Sequence, residues 1–130
     1  MGTTGRLTSG TLALAALVSG AQGEDAMTGK AATLYCDGGP EGFCEVLARA
    51  LSGGDTALDA RVVDDAAGAD FRLEVLRFEE DIMDYRLHWH ADGEAVAGPD
   101  VNVAVLGHRI TPAIYEEMAK GLILASKPPI

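Results

Sequence analysis

The chain has 130 residues, with 20 acidic against 10 basic side chains and a formal charge of −10 at pH 7. That length holds one domain around one small core, and the charge disfavours nucleic acid and anionic lipid surfaces as partners. An apolar content of 48% points to a folded domain and not to a disordered acidic segment.

Residues 1–23 have the layout of a secretory signal peptide. Arg6 is the only charge there, "TLALAALVSG" at 11–20 is an apolar stretch too short to span a bilayer, and "AQG" at 21–23 puts small residues where a signal peptidase reads, just before Glu24. A cut after Ala21 fits nearly as well, and an ordinary buried helix over 11–20 is the alternative. No cysteine stands directly after the apolar stretch, so no lipid anchor is expected. The expectation is an exported protein, periplasmic or secreted, with a soluble domain over 24–130 and no membrane anchor after cleavage. Loss of Arg6 leaves that domain at −11 before histidine is counted.

"AATLYC" (31–36) has β character and reads as the first strand. "DGGPEG" (37–42) is a turn leading into a helix, with Pro40 suited to its first turn. It lacks the lysine of a phosphate-binding loop, and Asp37 and Glu41 would repel a phosphate. In "EGFCEVLARALSGG", Phe43, Val46, Leu47, Ala50 and Leu51 recur at steps of three and four, one apolar helical stripe that Gly53 and Gly54 end. Cys36 and Cys44 flank this corner. An even pair in an exported chain predicts a disulfide, and the C-x7-C spacing is neither a redox C-x-x-C nor a zinc knuckle. A reactive Cys44 at the helix N-terminus is the other reading.

"ALDARVV" (57–63) alternates Leu58, Ala60 and Val62 and reads as a strand. After the loop "DDAAGAD" (64–70), "FRLEVLRF" (71–78) is the strongest strand. "EEDIMD" (79–84) is an acidic turn, and "YRLHWHA" (85–91) is the returning strand. Asp92-Gly93 is the signal of a two-residue hairpin turn, which would pair Ala91 with Glu94, His90 with Ala95 and His88 with Ala97. "EAVAG" (94–98) follows, Gly98-Pro99 interrupts it, and "VNVAVL" (101–106) resumes extended. Thr111 suits an N-cap and Pro112 a first helical residue. The second helix covers 112–126, its stripe formed by Ile114, Met118, Leu122 and Ala125, and Pro128-Pro129 end it.

The order β-α-β-β-β-β-α predicts a small α+β domain, a mostly antiparallel sheet with two helices on one face. With "RVVDD" and "ADFRLEV" after the first helix, this element order is loosely similar to that of small α/β domains of envelope assembly proteins, such as the N-terminal domain of TolB. The similarity lies in element order and carries no diagnostic motif. It implies a role in binding or assembly.

Three candidate sites stand out. Along 85–91, alternation puts Tyr85, Leu87 and Trp89 on one face and Arg86, His88 and His90 on the other. The aromatic side is the natural core side, so the histidines point to solvent. His88-x-His90 could hold zinc if a third donor joined it, with His108, Asp100 or the carboxylates of 79–84 as candidates. Glu79, Glu80, Asp81 and Asp84 lack the EF-hand pattern. No cofactor motif and no nucleophile-elbow motif is found. The third candidate is a surface. A six-residue loop over 79–84 would set Arg77 opposite Arg86, Val75 opposite His88 and Leu73 opposite His90. Phe71, Leu73 and Val75 would then lie on the histidine face and form an exposed apolar patch. A β-bulge that turns this set inward is the competing reading. The expectation is a non-catalytic domain that binds an envelope protein or a second copy of itself through Phe71, Leu73 and Val75, with Arg86, His88 and His90 adding specificity. The alternative is a metal-binding or metal-dependent protein using His88 and His90.

Overall fold

The computed structural model describes residues 30–53 and 58–129. The signal segment expected at 1–23 and the cleavage site expected after it lie outside the described residues. In chain order the elements are β1 (Lys30–Asp37), α1 (Phe43–Ser52), β2 (Leu58–Val62), β3 (Phe71–Phe78), β4 (Ile82–Ala91), β5 (Glu94–Ala97), β6 (Val101–Ala104), a single 3-10 turn (Pro112–Ile114) and α2 (Tyr115–Ser126). They form an α+β domain: one open, mixed sheet in the order β2-β1-β3-β4-β5, with β6 also on β4. The strands after β3 pair antiparallel, whereas β1 pairs parallel with both β2 and β3. No described helix is long and apolar enough to cross a membrane.

The parallel part is built around α1, which returns the chain from the end of β1 to the start of β2. Val63 N–H donates to Leu34 O at 2.9 Å, where β2 ends, and β3 starts beside the same Leu34. The eight-residue connection 63–70 can therefore step from one side of β1 to the other without running back along the sheet. Asp70 anchors its end. The Asp70 carboxylate accepts from Thr33 N–H at 2.8 Å, and Asp70 N–H donates to Thr33 Oγ1 at 3.0 Å.

The core lies between the sheet and the two helices. Ala32, Leu34, Leu73, Met83, Tyr85, Leu87 and Trp89 from the sheet meet Phe43, Leu47 and Leu51 of α1 and Tyr115, Met118, Ala119 and Leu122 of α2. Phe43 of α1 joins the sheet and α2, its ring edge-on to Tyr85 at 6.0 Å and to Tyr115 at 5.5 Å. The Tyr85 hydroxyl donates to Met118 O at 3.1 Å, so this buried polar group is satisfied. Both helices begin later than the sequence suggests. Pro40 precedes α1 and its carbonyl accepts from Phe43 N–H, while Gly42 caps the helix in the left-handed region. Thr111 caps a 3-10 turn without a side-chain hydrogen bond, and α2 proper starts at Tyr115. Its buried stripe runs through Tyr115, Met118, Ala119, Leu122 and Ser126, and the expected Ala125 is exposed.

The β3–β4 register corrects the expected surface. Phe71 is opposite Trp89, Leu73 opposite Leu87 and Val75 opposite Tyr85. Phe71, Leu73 and Val75 thus share the core face and do not join the histidines; Leu73 is wholly buried and Phe71 is buried. Two features cause the difference. β4 begins at Ile82, so the turn is shorter than six residues, and Phe78 pairs with Met83. A bulge between Val75 and Arg77 then absorbs one residue, Leu76, which is 43% exposed.

At the other hairpin the pairing is as expected: Ala91 with Glu94, His90 with Ala95 and His88 with Ala97. Asp92 and Gly93 both have positive φ, 53° and 81°, as a two-residue turn of this kind requires. Beyond it, β5 and β6 are two separate strands on β4, offset where Gly98, Pro99 and Asp100 bulge out. Gly98 N–H donates to Leu87 O at 2.8 Å, and a Cβ at Gly98 would stand 2.9 Å from that oxygen and 3.2 Å from the Trp89 ring. Only glycine fits there.

Candidate functional site

The helix-free face of the sheet follows from alternation. Every second residue of β3 and β4 enters the core, so Arg72 and Glu74 of β3 and Asp84, Arg86, His88 and His90 of β4 are left on the opposite side. Cross-strand pairing arranges them in rows: Tyr35, Arg72, His88 and Ala97 in one, Asp37, Glu74 and Arg86 in the next, and Arg77, Asp84 and Asn102 in the third.

Glu74 is the hub. His88 Nε2 lies 2.7 Å from its Oε1, and Arg86 Nη1 is 3.8 Å from the same oxygen. The His88 hydrogen bond holds the Glu74 carboxyl below its ordinary range, with partial burial opposing and the His88, Arg72 and Arg86 charges adding to the lowering. Arg86 also pairs with Asp100 from the bulge between β5 and β6. Asn102 donates to Asp84 Oδ1 at 2.5 Å. The result is an ordered polar network, half-buried at Glu74, Asp84, Arg86 and His88 and exposed at Asp100 and Asn102.

His88 and His90 share this face, as alternation requires, but His88 is engaged with Glu74 and His90 is exposed opposite Ala95. Most of the third donors considered from sequence have other partners. Asp100 holds Arg86, Glu79 holds Arg77, Glu80 holds Arg109 and Asp84 accepts from Asn102. His108 stands on the exposed loop after β6. Among the described residues no three His, Cys, Asp or Glu side chains are grouped to hold a metal ion.

Beside the histidines a cleft of about 290 Å³ opens between the loop 66–70 and the sheet, lined by Arg72, His88, His90, Trp89 and loop residues including Gly68 and Ala69. A second, larger and mainly apolar groove of about 520 Å³ runs along the outside of the helices between Val46, Ala50, Ile123 and Leu124. At the corner of β1 and α1, Cys36 and Cys44 form a disulfide with Cα atoms 6.1 Å apart, so Cys44 is not a free nucleophile.

Arg72 and Glu74 are the functional candidates that sequence reasoning missed. Their signal was present: in "FRLEV" apolar and charged residues alternate strictly, which sets Phe71, Leu73 and Val75 together on one side and Arg72 and Glu74 on the other. The two apolar residues in succession at Val75-Leu76 mark the bulge.

No protein-family model matches the chain, and no curated protein matches it in sequence.

Proposed function

We propose that this protein is an exported, non-catalytic binding domain whose partner, an envelope protein, docks on the helix-free face of the sheet. The observation that carries the reading is the face itself: a broad surface with no helix over it among the described residues, on which Glu74, Arg86, His88, Asp84, Asn102 and Asp100 already hold one another in place. Such pre-ordered side chains lose little rotamer freedom on docking, and their mixed charge selects a partner by complementarity more than by apolar area. Tyr35, half-buried in the adjoining row, supplies an aromatic contact. Phe71 and Leu73, being buried, have no part in it. The disulfide agrees with delivery to an oxidising compartment.

The test is capture from an envelope extract on immobilised protein, with three baits. The wild type and Leu124→Ser, altered on the helix side where Leu124 is 75% exposed, are expected to retain the same protein. Arg77→Glu combined with His90→Glu, two exposed changes on the open face, is expected to lose it. Equal retention by all three baits refutes docking on this face. A concentration-dependent dimer abolished by the same double substitution would make a second copy the partner instead.

A further inference from the structure

Burial and pairing single out Arg72. Of the described arginines, Arg61, Arg77, Arg86 and Arg109 each pair with a carboxylate. Arg49 and Arg72 make no ion pair with a described carboxylate, but Arg49 is exposed on α1 whereas Arg72 is half-buried in the middle of the sheet. Its charge acts on Glu74, but that carboxylate is shared with His88 and Arg86, so Arg72 has no carboxylate of its own among the described residues. Its five N–H donors form a planar fork that fits a carboxylate with two parallel hydrogen bonds.

The surroundings of Arg72 are suited to such an anion. It lines the cleft beneath the loop 66–70 together with His88 and His90. His88 Nε2 is committed to Glu74, which leaves its other ring nitrogen, and His90 has no described partner. In the loop, Ala67, Ala69 and Asp70 spend their N–H groups on Asp65, Ala66 and Thr33, whereas Gly68 N–H has no partner among the described residues. Asp70 also lines the cleft, its carboxylate accepting from Thr33 N–H and the Thr33 hydroxyl. Trp89, whose side chain points into the core, also borders the space. The volume of about 290 Å³ is at the small end of ligand sites. One permanent positive charge, beside Glu74 and in a chain of net charge −10, matches a monoanion better than a phosphate dianion.

We infer that this cleft is a binding site for a compact carboxylate, gripped by the Arg72 guanidinium and contacted by His90 and the loop backbone. The carboxylate is that of a small free acid or the C-terminus of a peptide chain. The inference stands apart from the protein-docking reading, since the cleft needs no partner on the rest of the face.

Binding is read by isothermal titration calorimetry, which needs no probe group in the cleft. The purified protein is titrated with lactate, with N-acetyl-trialanine bearing a free C-terminus, with the same peptide amidated, and with inorganic phosphate. Saturable binding heat with either carboxylate and none with the amide supports the site. Tighter binding of lactate points to a free acid as the source, and tighter binding of the peptide to a chain terminus. Arg72→Gln is expected to weaken the carboxylate at least tenfold, and Arg72→Lys, which keeps the charge but not the fork, to weaken it by less. Should Arg72→Gln fail to fold, His90→Ala, at an exposed position, is expected to weaken binding severalfold. No saturable binding heat with either carboxylate, equal binding of the amide, tighter binding of phosphate, or undiminished binding by a folded Arg72→Gln variant each overturns the assignment.

Discussion

The register of β3 can be tested by truncating Leu73 and Leu76, two leucines three residues apart with opposite expected outcomes. Leu73 has no exposed surface, faces Leu87 across the β3–β4 pair and Cys36 across the β1–β3 pair, and belongs to the core beneath the helices. Leu73→Ala removes three buried carbons. At about 0.8 kcal/mol each the transfer loss is about 2.4 kcal/mol, and the cavity left in a core locked between two helices brings the total to about 3–4 kcal/mol. Leu76 is the extra residue of the bulge and is 43% exposed, so Leu76→Ala is expected to cost less than about 1 kcal/mol. In a domain of this size the first loss is about a fifth or more of a total stability of about 5–15 kcal/mol. It should lower the melting temperature by more than about 12 °C. Urea unfolding of both variants, followed by circular dichroism with a common slope, gives the two values. Near-equal costs, or a larger cost at Leu76, would falsify the bulged register and return Leu73 to the histidine face.

Three further outcomes follow from named groups. Burial pushes the Tyr85 phenol up to about 12; a raised folded value means that its stabilisation is whole below the ordinary phenol range and is lost as pH rises through about 12, so unfolding measured at stepped pH should show an alkaline decline above about pH 10 that is shallower in Tyr85→Phe. Glu74 has the opposite sign: its lowered folded value makes its contribution present above the ordinary carboxylate range and lost as pH falls through the lowered value, so Glu74→Gln should flatten part of the acid limb, and an identical acid limb in the variant refutes the Glu74–His88 link. Reduction of the Cys36–Cys44 bridge, which spans 8 positions, should cost about 2.5 kcal/mol by loop-closure entropy; chemical unfolding with and without reductant measures it, and free thiols in oxidised, folded protein contradict the bridge.

What the sequence determined by itself is what short-range physics controls. The period-two pattern of 85–91 is enough to bury Tyr85, Leu87 and Trp89 and leave Arg86, His88 and His90 opposite them, because side-chain direction alternates along any strand. Asp92-Gly93 set the β4–β5 register to the residue, because two positive φ values admit few alternatives. The spacing of Phe43, Leu47 and Leu51 likewise suffices for the buried side of α1. The α+β class was legible from the element order, and the Cys36–Cys44 bridge from their even number. The turn between β3 and β4 carries no such local instruction: strand 71–78 has apolar residues at both parities once Leu76 and Phe78 are counted, so two registers look acceptable in one dimension. Packing decides between them, because only the bulge at Leu76 lets Phe71, Leu73 and Val75 meet the helices while Phe78 stays beside Met83. The parallel pairing of β1 with both β2 and β3, the splitting of β5 from β6 at Gly98, and the approach of His88 to Glu74 are decided in the same way. Each depends on which distant segments share the core, and loop lengths and side-chain periods limit that choice without making it.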